Sequence, residues 1–401
     1  ISTFTTHTAA DIQALIDSYD ISITPRDYQF EAFKFALENE RGLILSPTAS
    51  GKSLIAYMLI RHYLNVIDNN ILIIVPTTSL VEQLYKDFKS YGYDVENNVS
   101  RNYHGYEIEE DKRVVISTWQ SLYKLPKTFF ADFGAVIGDE AHLFKAVSLT
   151  KIMTKLVDCK YRIGMTGTLD DSKTHKLVLQ GLFGQVNKVV SSKELIEKKQ
   201  LADLKIICLV LKYNEQDSKS IRGVKYHEEL EFIAQNEQRN KYIRNLALAL
   251  NGNTLCLFQL VEKHGQHLYK LIKEKADKDR KVFFVYGGTD TNTREEIRAI
   301  TEREENAIIV ASYGTFSTGI NIRNLHNIIF SSPSKSRIRN LQSIGRGLRI
   351  GDNKTSATLY DISDDLTYKD KKNFTLTHFQ ERINIYNEEG FNYEIHSVNL
   401  K

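Results

Sequence analysis

The sequence predicts an α/β fold of two tandem lobes, each a mostly parallel sheet with helices on both faces. Three observations carry that expectation. Short β-branched runs alternate with helical stretches, the pattern of a parallel sheet covered on both sides. The alternation runs through the first half and begins again after Leu201. Between the two series lies a charged stretch, residues 191–200, which reads as the boundary.

In the first series, residues 43–45, 71–75, 114–117, 135–137 and 161–165 are apolar runs of strand length. In the second, the strands are 204–211, 254–258, 282–285, 307–311, 327–330 and 357–360. Residues 214–244 are rich in Lys, Glu and Asn and read as a solvated helical connector. The organisation expected is a lead-in over 1–23, a first lobe over 24–200, a second over 201–363, and a C-terminal helical extension, 364–401, packing on the second lobe. A hydrophobic fraction of 42% supports two real cores. No apolar run approaches the ~20 residues that cross a bilayer, which argues against a membrane partner. No signal peptide is visible. Cys159, Cys208 and Cys256 are far apart in apolar surroundings, which suits core residues in a reducing compartment and argues against zinc. A net charge of +3 does not announce nucleic-acid binding, so any such function must come from local chemistry.

The chemistry concentrates first at Ser46-Pro47-Thr48-Ala49-Ser50-Gly51-Lys52-Ser53. This is close to the phosphate-loop pattern G-x-x-x-x-G-K-[ST], with Ser46 where the first Gly belongs. A strand precedes it, and an apolar helix over residues 54–60 follows. Backbone N–H groups at such a helix start surround an anion. Lys52 would reach the β- and γ-phosphates of ATP, and Ser53 would bind Mg²⁺. A chance Gly-Lys-Ser turn is the bland alternative, and the acidic segment downstream weighs against it. There, the strand at 135–137 ends at Gly138-Asp139-Glu140-Ala141-His142. Carboxylates at the C-terminal edge of a parallel strand face the ligand crevice. Asp139 would hold Mg²⁺ and Glu140 would take a proton from the attacking water. His142 suits coupling ATP to a bound strand better than ligating metal.

The second half has no phosphate loop. It carries Gln342-Ser343-Ile344-Gly345-Arg346-Gly347-Leu348-Arg349, with two arginines three apart on one helical face. Arg346 and Arg349 are read as arginine fingers reaching across a cleft to the γ-phosphate, with Gln342 grouped beside them as catalytic. A surface pair binding a phosphate backbone is the alternative.

In order, these segments resemble the motifs of superfamily-two helicases over roughly residues 24 to 361. Pro25-Arg26-Asp27-Tyr28-Gln29 resembles the Q-type motif, in which Tyr28 and Gln29 would contact the nucleotide and Gln29 would read adenine. Thr166-Gly167-Thr168 resembles the motif that couples hydrolysis to lobe movement. Ser312-Tyr313-Gly314-Thr315-Phe316-Ser317-Thr318-Gly319-Ile320-Asn321 resembles the fifth motif, and the arginine segment the sixth. Gly319 and Asn321 would touch the nucleotide, although many relatives carry Asp where Asn321 stands. More narrowly the chain resembles the UvsW-type helicases of T4-like phages, through residues 73–78, 117–120, 310–314, 316–320, 391–393 and 398–400. The resemblance implies tandem RecA-like domains, ATP and Mg²⁺ as cofactors, and a phage protein acting as a monomeric motor in the host cytoplasm. Its implied work is remodelling branched DNA, without sequence preference and with RNA entering through hybrids. It also implies a small domain ahead of the motor, absent from a chain that begins just before the Q-type motif.

Candidates for gripping the nucleic-acid backbone are Thr77, Thr78, Ser117, Thr118 and Gln120, then Gly287, Gly288, Thr315 and Thr318, because hydroxyls and backbone N–H groups bind phosphate without reading bases. Each also suits ordinary strand-end turn chemistry. Trp119 could stack on a base, but a lone Trp is more often core. An RNA helicase, a non-translocating ATP switch and a restriction-enzyme subunit stand as rivals. Glu140 and the arginine pair argue against a pure switch.

Overall fold

The computed structural model describes residues 8–47, 50–103, 108–109, 111–141, 146–167, 173–199, 201–315, 322, 324–332 and 356–400. Two compact units divide the chain, Ile1–Ser191 and Ser192–Lys401. The division falls at the start of the charged stretch, because the helix Ser192–Glu197 belongs to the second unit.

The first unit holds β1 (Arg41–Leu45), β2 (Asn70–Val75), β3 (Val99–Asn102), β4 (Val114–Thr118), β5 (Phe133–Gly138), β6 (Tyr161–Thr166) and β7 (Val186–Lys188). They form one sheet in the order β3-β4-β2-β5-β6-β1-β7, every described pairing parallel. β2, β4 and β5 are buried along almost their whole length, as strands covered on both faces must be. The helix Lys52–Val66 follows β1 and buries every residue from Leu54 to Ile60. That explains its near-continuous apolar sequence. The helix Ala9–Asp17, capped by Thr8, sends Ile12 and Ile16 into the same core, followed by Tyr19. Residues 9–19 of the lead-in are thus part of the first core.

The second unit holds β8 (Asp203–Lys212), β9 (Thr254–Phe258), β10 (Val282–Val285), β11 (Ile308–Ser312), β12 (Asn327–Phe330), β13 (Ser356–Asp365) and β14 (Tyr393–Asn399). The order is β10-β11-β9-β12-β13-β8-β14, again parallel throughout the described pairs. The C-terminal segment is not helical alone. The helix Phe374–Glu389 lies against β13, and β14 then adds an edge strand beside β8.

Residues 214–244 correct the solvated-connector reading. They form the helices Glu215–Ser220 and Tyr226–Gln235 and the start of Glu237–Ala249, and they bury Glu229, Arg239 and Asn240. Arg239 pairs with Asp364 of β13 at 2.7 Å. Glu229 accepts the backbone N–H groups of Phe374 and Thr375, at 2.9 and 2.8 Å, and caps the C-terminal helix. Composition alone conceals such pairing, because a charged residue is buried only when its partner arrives from elsewhere in the chain.

The three cysteines are buried, as expected. Among the described residues no helix is long and apolar enough to cross a membrane.

Candidate active site

β1 runs into the loop that begins at Ser46, and the helix Lys52–Val66 starts immediately after it. Gly51 caps that helix with φ 77°, a left-handed conformation that favours glycine. A Cβ there would also lie 2.5 Å from Gln29 Nε2 and would displace that amide from the loop. Among the described residues no side chain caps this helix. Its first N–H groups and the positive end of its dipole therefore suit an anion.

Ser46, the departure from the usual pattern, is buried and donates its hydroxyl to Ser50 Oγ at 2.7 Å. The hydroxyl pair closes the loop that glycine would otherwise leave to backbone freedom. Ser46 N–H donates to the Thr166 carbonyl at 3.0 Å, which ties the loop to the end of β6 and to the neighbouring Gly167. Tyr28 and Gln29 grip the loop from the other side. Tyr28 Oη donates to the Ser50 carbonyl at 2.7 Å. Gln29 Nε2 donates to the carbonyls of Ser50 and Gly51 at 3.0 and 3.2 Å, and its Oε1 accepts Arg26 N–H at 2.9 Å. The Gln29 amide is thus committed to the loop, and contact with a base would require one of these bonds to exchange.

β5 places the acidic pair beside this loop. Lys52 Nζ lies 3.2 Å from Glu140 Oε1 and 3.5 Å from the Ser46 carbonyl. Glu140 adopts φ 50°, a left-handed backbone rare for a non-glycine residue and commonest where function holds it there. Its N–H donates to Asp139 Oδ1 at 3.0 Å. Asp139 is buried. Burial and then the Glu140 charge push its carboxyl up to about 7, against the opposing pull of Lys52. A buried carboxylate whose neighbours oppose its charge is a place where a cation is favourable. Ser53 and Asp139 together offer hard oxygen donors, the set that suits magnesium held by few protein ligands plus phosphates and water. Among the described residues no cluster of three or more His, Cys, Asp or Glu forms a self-sufficient metal cage.

The remaining candidates occupy strand ends. Thr77 caps the helix Thr78–Ser90 and Thr78 is exposed in its first turn. Gln120 is exposed, and its Nε2 donates to the Pro76 carbonyl at 3.2 Å, joining the turns after β2 and β4. Ser117 is buried, with its hydroxyl donating to the Asn102 carbonyl at 3.0 Å. Thr118 Oγ1 lies 3.0 Å from Ser121 Oγ. Trp119 packs on the first unit's core near Tyr123. In the second unit Gly287 and Gly288 are exposed after β10, and Thr315 is buried against Ser312 Oγ at 2.8 Å. Thr48, Ala49, His142, Thr168, Thr318, Gly319, Asn321, Gln342, Arg346 and Arg349 lie outside the described residues.

A long-range contact at the site escaped the sequence reading. Ser53 Oγ lies 2.8 Å from Tyr91 Oη, and 38 residues separate the two in the chain. No local motif could have signalled it.

Residues 22–171 match the family described as Type III restriction enzyme, res subunit, and residues 237–351 match the helicase conserved C-terminal domain. The chain is 37% identical over 395 residues to the ATP-dependent DNA helicase uvsW of Enterobacteria phage T4, covering 94% of this chain and 78% of that protein. It is 27% identical over 362 residues to the DNA 3'-5' translocase XPB2 of Sulfurisphaera tokodaii, covering 81% and 78% respectively. The solved structure of S. cerevisiae Dbp5 bound to RNA and ADP BeF3 aligns with TM-score 0.61 at 13% identity, over 99% of this chain and 95% of that one, a likeness of fold alone. The parallel sheets are those of tandem RecA-like domains, and the chain belongs to the UvsW-type family of superfamily-two ATP-dependent DNA helicases.

Proposed function

We propose that this helicase is a magnesium-dependent, monomeric translocase that remodels branched DNA: forks, D-loops, R-loops and Holliday junctions. The observation that carries the hydrolytic part is the Lys52–Glu140 pair at the phosphate loop, beside the opposed charge of Asp139. In the pair, Lys52 holds the carboxylate that would act as base. The β- and γ-phosphates of ATP offer Lys52 a more highly charged partner, and its transfer to them would turn the Glu140 carboxylate toward the attacking water.

Glu140 then takes a proton from water as the water oxygen bonds to the γ-phosphorus, and the bond to the bridging oxygen breaks. Magnesium, when bound, would draw charge from the phosphate oxygens. Ser53 and Asp139 are the residues assigned to hold it. Arg346 and Arg349, with Gln342, are assigned to the γ-phosphate. Tyr28 and Gln29 report adenine to the loop they brace, with Gly319 and Asn321 completing nucleotide contact. Thr166, Gly167, Thr168 and His142 link hydrolysis to movement, which the Ser46–Thr166 bond supports. Thr77, Thr78, Ser117, Thr118, Gln120, Gly287, Gly288, Thr315 and Thr318 are assigned to the nucleic-acid backbone.

The test is ATP turnover across forked DNA, Holliday junctions, linear duplex, RNA–DNA hybrid and single-stranded RNA. Branched DNA should stimulate the wild type most strongly, and Lys52→Ala should be inert with all five. Turnover by Lys52→Ala would refute the site. Stimulation by RNA alone would refute the DNA assignment.

A further inference from the structure

Tyr91 closes the helix Thr78–Ser90, with its N–H donating to the Asp87 carbonyl at 3.0 Å. It is 8% exposed. Its hydroxyl reaches Ser53 Oγ at 2.8 Å. The aromatic ring is held as firmly as the hydroxyl. Ser53, Tyr57 and Arg61 follow one another at i, i+4 and i+8 along one face of the helix Lys52–Val66. The Tyr91 ring packs on Tyr57 at 5.4 Å between centroids, and Tyr57 also meets Tyr93 at 5.8 Å. Arg61 lies over the rings of Tyr19, Tyr57 and Tyr93, at 5.4, 5.8 and 5.5 Å. Backbone contacts complete the hold, since Ser22 N–H donates to the Tyr91 carbonyl at 3.3 Å and Ser22 Oγ to the Ser90 carbonyl at 2.9 Å.

A serine that binds a cation does so with an oxygen lone pair. Its own O–H proton then needs an acceptor on the side away from the metal. Without one, the hydroxyl turns toward competing backbone carbonyls of its own helix. We infer that Tyr91 is a positioning residue for the magnesium site: its phenol oxygen accepts the Ser53 proton and leaves the serine lone pairs facing the cation. The geometry also extends the site outward. The 18–23 segment and the helix Thr78–Ser90 meet at Tyr91, so displacement of either moves the partner of Ser53. Outer-sphere partners of this kind are worth about 10–100-fold in metal affinity.

The inference rests on Ser53 being a magnesium ligand, and the experiment separates the two claims. ADP affinity of the full chain is measured by calorimetry with excess Mg²⁺ and again with EDTA. The ratio of the two dissociation constants is the metal coupling. Tyr91→Phe removes one oxygen and keeps the ring stack. It should weaken ADP binding about 10-fold or more in Mg²⁺ while leaving the EDTA value unchanged. Ser53→Ala should remove the coupling, and the double variant should be no weaker than Ser53→Ala alone, because Tyr91 acts only through Ser53. If Ser53→Ala loses the coupling and Tyr91→Phe keeps it, the positioning role is wrong and the metal site stands. If Ser53→Ala keeps the coupling, the metal assignment itself fails. Equal weakening of Tyr91→Phe in Mg²⁺ and EDTA would mean general damage to the loop and would also overturn the inference.

Discussion

The loop after β1 and the loop after β9 make a controlled comparison, because both join a buried parallel strand to a helix in the same kind of sheet. After β1, glycine is required for a left-handed backbone, and Lys52 stands at the helix start with an acidic pair nearby. After β9, the turn Val261–Gly265 leads into the helix Gln266–Lys275. Gly265 has φ −60°, an ordinary helical value, and is required only because a Cβ would strike the Phe258 ring at 2.5 Å. The residue before it, His264, is fully buried, with Nδ1 3.0 Å from Ser332 Oγ. Among the described residues, one loop leaves a helix terminus without a side-chain cap, open to an anion. The other fills its turn with its own side chain.

The charges differ in the same sense. In the second unit Arg382 pairs with Asp361 at 2.8 Å and Arg239 with Asp364 at 2.7 Å, all four residues buried and each pair opposite in sign. In the first unit burial and Glu140 outweigh Lys52 at Asp139, so two carboxylates share one lysine. Balanced buried charge is architecture, and unbalanced buried charge is a binding opportunity.

Glu140→Gln and Arg382→Met test that distinction most severely. Glu140→Gln should lower kcat by about 10²–10⁴ while ATP binding and Tm persist. Arg382→Met leaves Asp361 buried without its cation, so it should cost about 3–5 kcal/mol of stability. Urea denaturation and single-turnover hydrolysis, run on both variants, separate the two outcomes. A Glu140→Gln variant that unfolds readily, or an Arg382→Met variant of normal stability, would break the comparison.

A pH series sharpens it. Burial, then Arg239 and His267, hold His264 down at about 3 rather than its ordinary 6.5. The folded chain therefore keeps this ring neutral while the unfolded chain protonates it below about pH 6.5. Stability from His264 is fully present above that pH and is lost as acid approaches the depressed value, by about 2 kcal/mol between pH 6.5 and 5. His264→Asn should flatten this part of the urea-midpoint profile. An unchanged slope would show that His264 is not the sensor.

The sequence carried the strands with continuous apolar runs and the order of the site segments, because both are local patterns. It did not carry β3, β7 or β14, whose residues are short or polar edges that only a neighbouring strand makes regular. Glu229, Arg239 and Arg382 also escaped it, since their partners arrive from distant positions. The Gln29 brace on Ser50 and Gly51 is of the same kind. A Q-type residue is recognisable as a motif, yet its hydrogen bonds are a property of the folded loop.

Ser46 gives the smallest effect and the finest discrimination. Its hydroxyl bond to Ser50 replaces conformational freedom with a fixed loop closure. Ser46→Gly restores the usual loop pattern but deletes that bond and adds backbone entropy to the unfolded chain. The lost bond should cost about 1 kcal/mol and the glycine about 0.5–1 kcal/mol more. Catalytic groups are untouched, so kcat should stay within a few-fold of wild type while the ATP dissociation constant rises by about fivefold from a looser cradle. Ser50→Ala removes the same hydroxyl bond without the glycine, and the pair of variants separates the bond from the backbone. If Ser50→Ala binds ATP as wild type does and Ser46→Gly alone is weakened, backbone stiffness rather than the hydroxyl pair shapes the loop.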